Sequence, residues 1–171
     1  MYNLFVTAEN GAWDRLFYEY DRSRFLEYTN HKISKTFKTL TKERIAKLLS
    51  LPCLFAYEGA DESVRLGKLT SIKERGRLIL IEYEFYPGVD EISFSSIEVI
   101  APLLDIRGWE MNRTHWAVKD EDLIDRLYTA NLIGKLKIEP ENNSKDLDRF
   151  PDIKTHSSRI TTVQGFVKKV L

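Results

Sequence analysis

Three histidines and one cysteine are the side chains in this sequence most suited to chemistry at neutral pH. His31, His115 and His156 lie far apart, and Cys53 stands alone. Because structural and catalytic zinc sites gather such ligands at short, regular spacings, this pattern predicts no metal site. The glycine-rich sequences that hold nucleotide phosphates are missing, as is the Gly-x-Ser-x-Gly sequence of hydrolases. We therefore expect no cofactor.

Cys53 directly follows Pro52 and opens an apolar run. A nucleophilic pair of Cys53 with His115 stays open at the level of sequence. We interpret Cys53 instead as a small buried apolar group, the commoner role of a free cysteine.

A second candidate pair consists of Arg24 and His31, with six residues between them. This spacing resembles the Arg-x4–6-His signature of HEPN-type ribonucleases, in which both residues act on the phosphodiester. The asparagine usual after that arginine is Phe25 here, and the surrounding sequence does not predict the long helical bundle of that family. A ribonuclease-like effector with Arg24 and His31 as catalytic residues is therefore the alternative, and we favour a protein without catalytic activity.

The sequence has a formal net charge of zero, with 26 basic and 26 acidic residues. This balance gives no overall attraction to nucleic acid or to acidic membranes. The apolar stretches are too short to span a bilayer, and the first residues lack the pattern of a signal peptide. A single cysteine fits a reducing compartment. We expect a cytoplasmic protein that does not bind membranes.

Residues 53–86 change to the alternating pattern of β-strands. In 78–85, Ile79, Ile81, Tyr83 and Phe85 fall on one face, and Leu78, Leu80, Glu82 and Glu84 on the other. Three antiparallel strands with short turns predict a small curled sheet, SH3-like or a partly open barrel. Its turn is basic, and a single-stranded nucleic acid could bind there. The candidate contacts are Lys68, Lys73, Arg75 and Arg77.

The stretch WEMNRTHWAVKD, residues 109–120, combines aromatic, basic and polar side chains. As a strand, residues 114–118 place Trp116 on the core face and His115 on the opposite face. Arg113 and His115 could together hold an anion or a carboxylate. They could equally brace the acidic start of the following helix, at Glu121 or Asp122, and we favour this structural role.

The remaining patterns predict further elements. We expect a strand at 3–7, a hairpin partner at 16–20 after the Asn10-Gly11 turn, and a helix that begins at Asp21 and continues through Phe37. Three more helices are expected, capped by Thr41, by Ser95 or Ser96, and by Asp120. The helix capped by Ser95 or Ser96 is expected to kink or end early at Pro102. The fold class is α+β, a small antiparallel sheet packed by helices.

The composition shifts after Gly134. We expect one α+β domain at 1–133, a polar linker at 134–159 and an amphipathic helix at 160–171. A short helix of this kind is marginal alone and needs a surface to pack on, either its own domain or a partner. We expect it to bind a protein partner or a second copy of the chain. Its apolar stripe consists of Val163, Phe166, Val167, Val170 and Leu171.

Four strings resemble a module of uncharacterised bacterial proteins that stands alone or precedes effector domains in antiphage-defence and mobile-element settings. They are YDRSRFLEYT (20–29), LPCLFAYEG (51–59), RLGKLTSIKERGR (65–77) and WEMNRTHWAVKDEDL (109–123). The resemblance covers about residues 1–133 and brings no known activity or catalytic residues. It implies a bacterial cytosolic accessory or sensor module. We expect a non-enzymatic binding module, a sensor or adaptor in a bacterial defence complex.

Overall fold

Six strands form one sheet in the part of the chain that the computed structural model describes, residues 1–59 and 62–136. They are Tyr2–Thr7 (β1), Phe17–Asp21 (β2), Pro52–Tyr57 (β3), Arg65–Arg75 (β4), Leu78–Phe85 (β5) and His115–Lys119 (β6). Their order across the sheet is β2-β5-β4-β3-β1-β6.

The sheet is mixed, since β1 runs parallel to β3 while all other neighbours are antiparallel. The α+β class is confirmed, and so are three consecutive antiparallel strands in β3, β4 and β5. The expected purely antiparallel sheet is wrong, and the sheet is not closed into an SH3-like or other barrel. An isolated parallel bridge joins Phe25, in the segment after β2, to Trp116 of β6.

Four α-helices accompany the sheet within the described residues: His31–Phe37 (α1), Lys42–Leu49 (α2), Phe94–Ile100 (α3) and Leu123–Thr129 (α4). Each begins after a side chain that accepts a hydrogen bond from a backbone N–H of the first turn. These caps are Asn30, Thr41, Ser93 and Asp122. The cap at Thr41 is confirmed, whereas the other two predicted caps are displaced by two or three residues. As expected near Pro102, α3 ends early and continues as the 3-10 turn Ala101–Leu104.

Both faces of the central strands are buried, in two separate apolar layers. On one face, aromatic side chains of the sheet pack with α1 and α2, and the rings of Phe5, Phe55 and Trp116 stack closely. On the other face, α3, α4 and the 3-10 turns at 101–104 and 110–112 cover the smaller residues of β1, β3 and β6. The arrangement makes β1 wholly buried.

The strand β2 forms where expected, but its partner is β5 and not β1. The reason lies in Trp13, which is buried and donates from Nε1 to the carbonyl of Ala56 on β3, 2.9 Å away. This contact carries the chain from the end of β1 over β3, and β3 and β6 occupy both edges of β1. The hydroxyl of Tyr20 then donates to the Val6 carbonyl from above the sheet.

The helix expected from Asp21 through Phe37 is interrupted. Asp21 caps only the 3-10 turn Arg22–Arg24, and residues 25–30 are irregular before Asn30 starts α1. The irregular segment covers the outer edge of β6, because Leu26 donates to the Trp116 carbonyl and Val118 donates to the Thr29 hydroxyl. A tertiary contact that blocks a sheet edge thus outweighs the local helical pattern.

Most of the predicted domain 1–133 lies within the described residues. The predicted linker lies outside them from residue 137 on, as does the predicted helix 160–171 with its five apolar residues. No helix of residues 1–59 and 62–136 has the length and hydrophobicity that a membrane span requires.

Gly67 lies where the backbones of β4 and β5 approach each other closely. A Cβ at Gly67 would lie 2.2 Å from the backbone oxygen of Glu84 on β5, whereas a Cβ at Gly108 meets nothing within 4 Å. We expect Gly67→Ala to lower the free energy of unfolding by about 1–3 kcal/mol, the range for overpacking. Urea unfolding measures it, with Gly108→Ala as the control that leaves stability unchanged or slightly higher. Equal stability of both variants would contradict this close approach.

Candidate binding surface

Three ionisable side chains are buried together beside β6. Glu110, His115 and Lys119 each have no solvent-exposed surface. The alternation along β6 places His115, Ala117 and Lys119 on one face, and Glu110 reaches them from the 3-10 turn Glu110–Asn112. Because an isolated buried charge is very costly, such groups persist only when paired.

The Lys119 ammonium is surrounded by oxygen acceptors. Its Nζ donates to Glu110 Oε2 at 2.8 Å and to the backbone carbonyls of Tyr28 and Asp105 at 2.9 and 2.7 Å. Tyr28 and Asp105 both have left-handed backbones, with φ of 55° and 53°. Non-glycine residues adopt this conformation at a cost of about 1–2 kcal/mol. Lys119 therefore stabilises two strained segments at the position where each turns.

Glu110 completes the cluster as the acceptor of several donors. Its Oε2 accepts from the Arg107 backbone at 3.0 Å, and His115 Nε2 lies 3.2 Å from its Oε1. Burial raises the pKa of Glu110, but its hydrogen bonds with His115 and Lys119 act in the opposite direction and leave that pKa below its ordinary value. The other ring nitrogen of His115 lies 2.6 Å from the Arg113 carbonyl. The cluster is saturated from within the chain.

The structure therefore separates Arg113 from His115. The Arg113 guanidinium donates twice to Glu27, at 3.0 and 3.1 Å. Both residues engage an acidic side chain, as the structural interpretation expected, although the acids are Glu27 and Glu110 and not Glu121 or Asp122. His115 has no surface to offer a dissolved anion.

The Arg24 and His31 side chains have different surroundings. Arg24 shares Glu27 with Arg113, at 3.4 Å, while His31 is exposed at the first residue of α1. Burial of Glu27 raises its pKa, but the paired arginines lower it further, so the net shift is downward. The described residues thus bring Arg24 and Arg113 together around one carboxylate.

Cys53 is buried, and burial raises the pKa of its thiol to about 12. Its sulfur accepts from Asn3 Nδ2 at 3.6 Å, and Asn3 also accepts from the Trp116 indole. His115 lies on the other side of the sheet, so these two residues do not form a pair. No group of three or more possible metal ligands occurs within residues 1–59 and 62–136.

The basic residues predicted to contact nucleic acid lie on β4 and at its turn. Three of them have an acidic neighbour across the sheet: Lys68 with Glu84 at 3.2 Å, Lys73 with Glu82 at 3.1 Å, and Arg75 with Glu19 at 3.4 Å. Arg77 is exposed beyond the turn.

Two aromatic residues of β5, Tyr83 and Phe85, are turned inward. Tyr83 is buried, and Phe85 packs its edge against the Phe55 ring. Acids therefore offset the positive charge of β4, and these two rings are already used in packing.

In residues 1–59 and 62–136, no helix covers one face at the β2 end of the sheet. We define the outer face as the solvent side of β2, β5 and the second half of β4. In register, Lys73, Leu80 and Glu19 form one row across the three strands, and Arg75, Leu78 and Asp21 form the next. A central apolar strand is thus flanked by bases on β4 and by acids on β2.

An open groove of about 530 Å³ lies on this outer face, lined by Leu16, Phe17, Glu19, Arg75, Leu80 and Glu82. Leu16 and Phe17 are 51% and 48% exposed, and neighbouring Leu78 is 38% exposed. Leu80 belongs to neither apolar layer of the core. Such a cluster of exposed apolar side chains is typical of a binding surface.

Leu16 adopts a left-handed backbone, with φ of 59°. Glycine would occupy this position without strain, yet the chain presents an exposed leucine. Strain of this kind tends to be retained where a side chain serves a function. The alternation of Leu78 and Leu80 on the solvent side already indicated this surface in the sequence, whereas Leu16 and Phe17 gave no such signal because their strand partner was unknown.

Comparison with protein-family models, with characterised proteins and with solved structures finds no match for this chain.

Removal of the Glu110 charge tests the buried cluster. Glu110→Gln leaves the Lys119 ammonium buried without a counter-charge, so we expect the free energy of unfolding to fall by about 3–5 kcal/mol. Glu121→Gln, at the partly exposed pair with Arg126, is the matched control and changes it by at most about 1 kcal/mol. Urea unfolding at pH 7 measures both. If the two variants lose equally little, the cluster does not have the stabilising role argued above.

Comparison of the wild type with Glu110→Gln also reveals how the stabilising effect of Glu110 depends on pH. A carboxylate whose folded pKa lies below its unfolded value, near 4.3, stabilises the fold above that unfolded value. This contribution disappears as the pH falls through the folded pKa. We therefore expect the stability gap between wild type and Glu110→Gln to narrow from pH 6 toward pH 3. A gap that stays constant over this range would show that ionisation of Glu110 is not its source.

Proposed function

We propose that this chain is a non-enzymatic binding module that recognises a protein through its outer face. The single observation that carries the proposal is the groove over Leu80, because it exposes Leu16 and Phe17 on a face that has bases on β4 and acids on β2. Apolar contacts at the centre of a patch supply most of the binding energy in protein interfaces, and a charged rim supplies orientation.

The side chains best suited to catalysis support the same proposal by being engaged elsewhere. Glu110, His115 and Lys119 bind one another away from solvent. Arg24 and Arg113 share Glu27. Such pairs hold backbone segments together, as structural ion pairs do. A ribonuclease-like role for Arg24 with His31 stays a prediction from sequence spacing, and Arg24→Ala and His31→Ala test it directly.

The setting of the proposed module follows from the resemblance of residues 20–29, 51–59, 65–77 and 109–123. We propose an adaptor or sensor subunit of a bacterial complex of the antiphage-defence type. The apolar stripe from Val163 to Leu171 is proposed as a second contact, with a protein partner or another copy, on the basis of its sequence pattern alone.

Site-specific photo-crosslinking tests the outer face. Phe17→p-benzoylphenylalanine is placed in the full chain, and the same photoreactive residue at Val99, which is 82% exposed on α3, is the matched control. We expect irradiation of cells that produce the chain to give a discrete protein adduct at position 17 and none at position 99. Nuclease treatment should leave the adduct unchanged, and Lys73→Glu in the same chain should weaken it.

Three results would contradict the proposal. Equal adducts at both positions would indicate general exposure, and no adduct at position 17 would indicate an unused surface. An adduct that nuclease removes would favour instead a nucleic-acid-binding role for the basic residues of β4.

A further inference from the structure

The arrangement of charge on the outer face points to its occupant. Along β5, Leu78 and Leu80 form a central apolar line. On one side lie Lys73 and Arg75, and on the other side lie Glu19 and Asp21. Each of these two rows reads base, leucine, acid, and the next row along β5 consists of Ser71, Glu82 and Phe17. A surface with this order is complementary to a copy of itself turned around the central line.

We propose that the outer face binds the outer face of a second copy of this chain, around a two-fold axis that runs along β5. This inference rests on the proposed binding role of the outer face and names the partner.

Among the two-fold axes that lie in the plane of the face, the axis along the strands brings the bases of β4 onto the acids of β2, while Glu82 of β5 lies on the axis opposite its own copy. A rotation about it exchanges the two sides of the face and keeps each row at its height, so that Lys73 of one copy faces Glu19 of the other. A rotation about an axis across the strands would place like charges over each other. The self-complementary contact of two identical patches is the usual form of a two-fold dimer.

The salt bridges within one chain do not prevent this exchange. Lys73 pairs with Glu82, and Arg75 with Glu19, through side chains that are 38–59% exposed. Exposed pairs of this type contribute about 0–1 kcal/mol each, so partners can be exchanged at little cost. Leu16, Phe17 and Leu78 lose water on association, which supplies the favourable free energy.

The geometry also favours stacked sheets over lateral strand pairing. The exposed apolar side chains point away from the face, and the sheets of two copies would keep their strands aligned, as packed sheets commonly do. At the opposite edge of the sheet, β6 is already covered by Leu26 and Thr29.

Charge reversal with complementation tests the proposal. Glu19→Lys and Lys73→Glu are made separately in the full chain, and association is measured by light scattering and native mass spectrometry across concentration at low salt. We expect the wild type to dimerise. Each variant alone meets like charges at two symmetric contacts, so its dissociation constant should rise at least about tenfold.

An equimolar mixture of the two variants is the decisive sample. In the mixed dimer the new lysine of the Glu19→Lys copy would face the new glutamate of the Lys73→Glu copy. The unchanged Lys73 of the first copy would face the unchanged Glu19 of the second, so both contacts are restored. We expect mixed dimers to form with a dissociation constant within about threefold of the wild type. Glu98→Lys on α3, an equal charge reversal away from the outer face, should dimerise like the wild type.

Each other outcome overturns the inference. A wild type that stays monomeric at all concentrations removes the second copy as the occupant. If the wild type and all variants associate equally, the chain assembles through another surface. If the mixture has a dissociation constant no lower than those of the single variants, the proposed contact of Lys73 with Glu19 of the other copy is excluded. In each case, a position-17 adduct with a different protein would leave the proposed binding role intact.

Discussion

The buried pair of Glu110 and Lys119 is the interaction on which the other parts of this fold depend. Lys119 is the last residue of β6, and its ammonium donates to the carbonyls of Tyr28 and Asp105. Tyr28 lies before α1, and Asp105 follows the 3-10 turn Ala101–Leu104 on the other face of the sheet. Without a counter-charge this ammonium could not remain in a dry interior. One ion pair thus connects the edge-covering segment after β2, the turn after α3 and the last strand.

This dependence explains why the chemically suggestive residues of WEMNRTHWAVKD are structural. A carboxylate, an imidazole and an ammonium in one cluster could serve catalysis if a substrate reached them. Here every polar atom faces another group of the chain, with the Tyr28 ring lying edge-on to His115 at 4.9 Å. Water and ligands have no access, so the favourable interactions of these charges serve the fold. Among the described residues, the surface that remains for binding is the outer face, where apolar side chains stay in contact with water.

Local patterns predicted what short-range physics controls. The alternation in 78–85 correctly separated Ile79, Ile81 and Tyr83 from Leu78 and Leu80, and Thr41 marked its helix because a cap acts within one turn. The partner of β2, the parallel pairing of β1 with β3 and the break after Asp21 depend on contacts between distant residues, such as Trp13 with Ala56. Lys119 was overlooked, although a lysine on a strand buried on both faces requires an acidic partner close by.

The two edges of the sheet show how the fold divides its surfaces between stability and association. At β6 a whole segment covers the edge, and the strand is completely buried. At the other end, no helix of the described residues covers the outer face, which leaves Leu16, Phe17 and Leu78 exposed. The same fold surrounds the buried Lys119 ammonium with three oxygen acceptors, whereas these three apolar side chains stay exposed. Their exposed apolar area disfavours the isolated chain, and the proposed contact between two outer faces would remove that area from water.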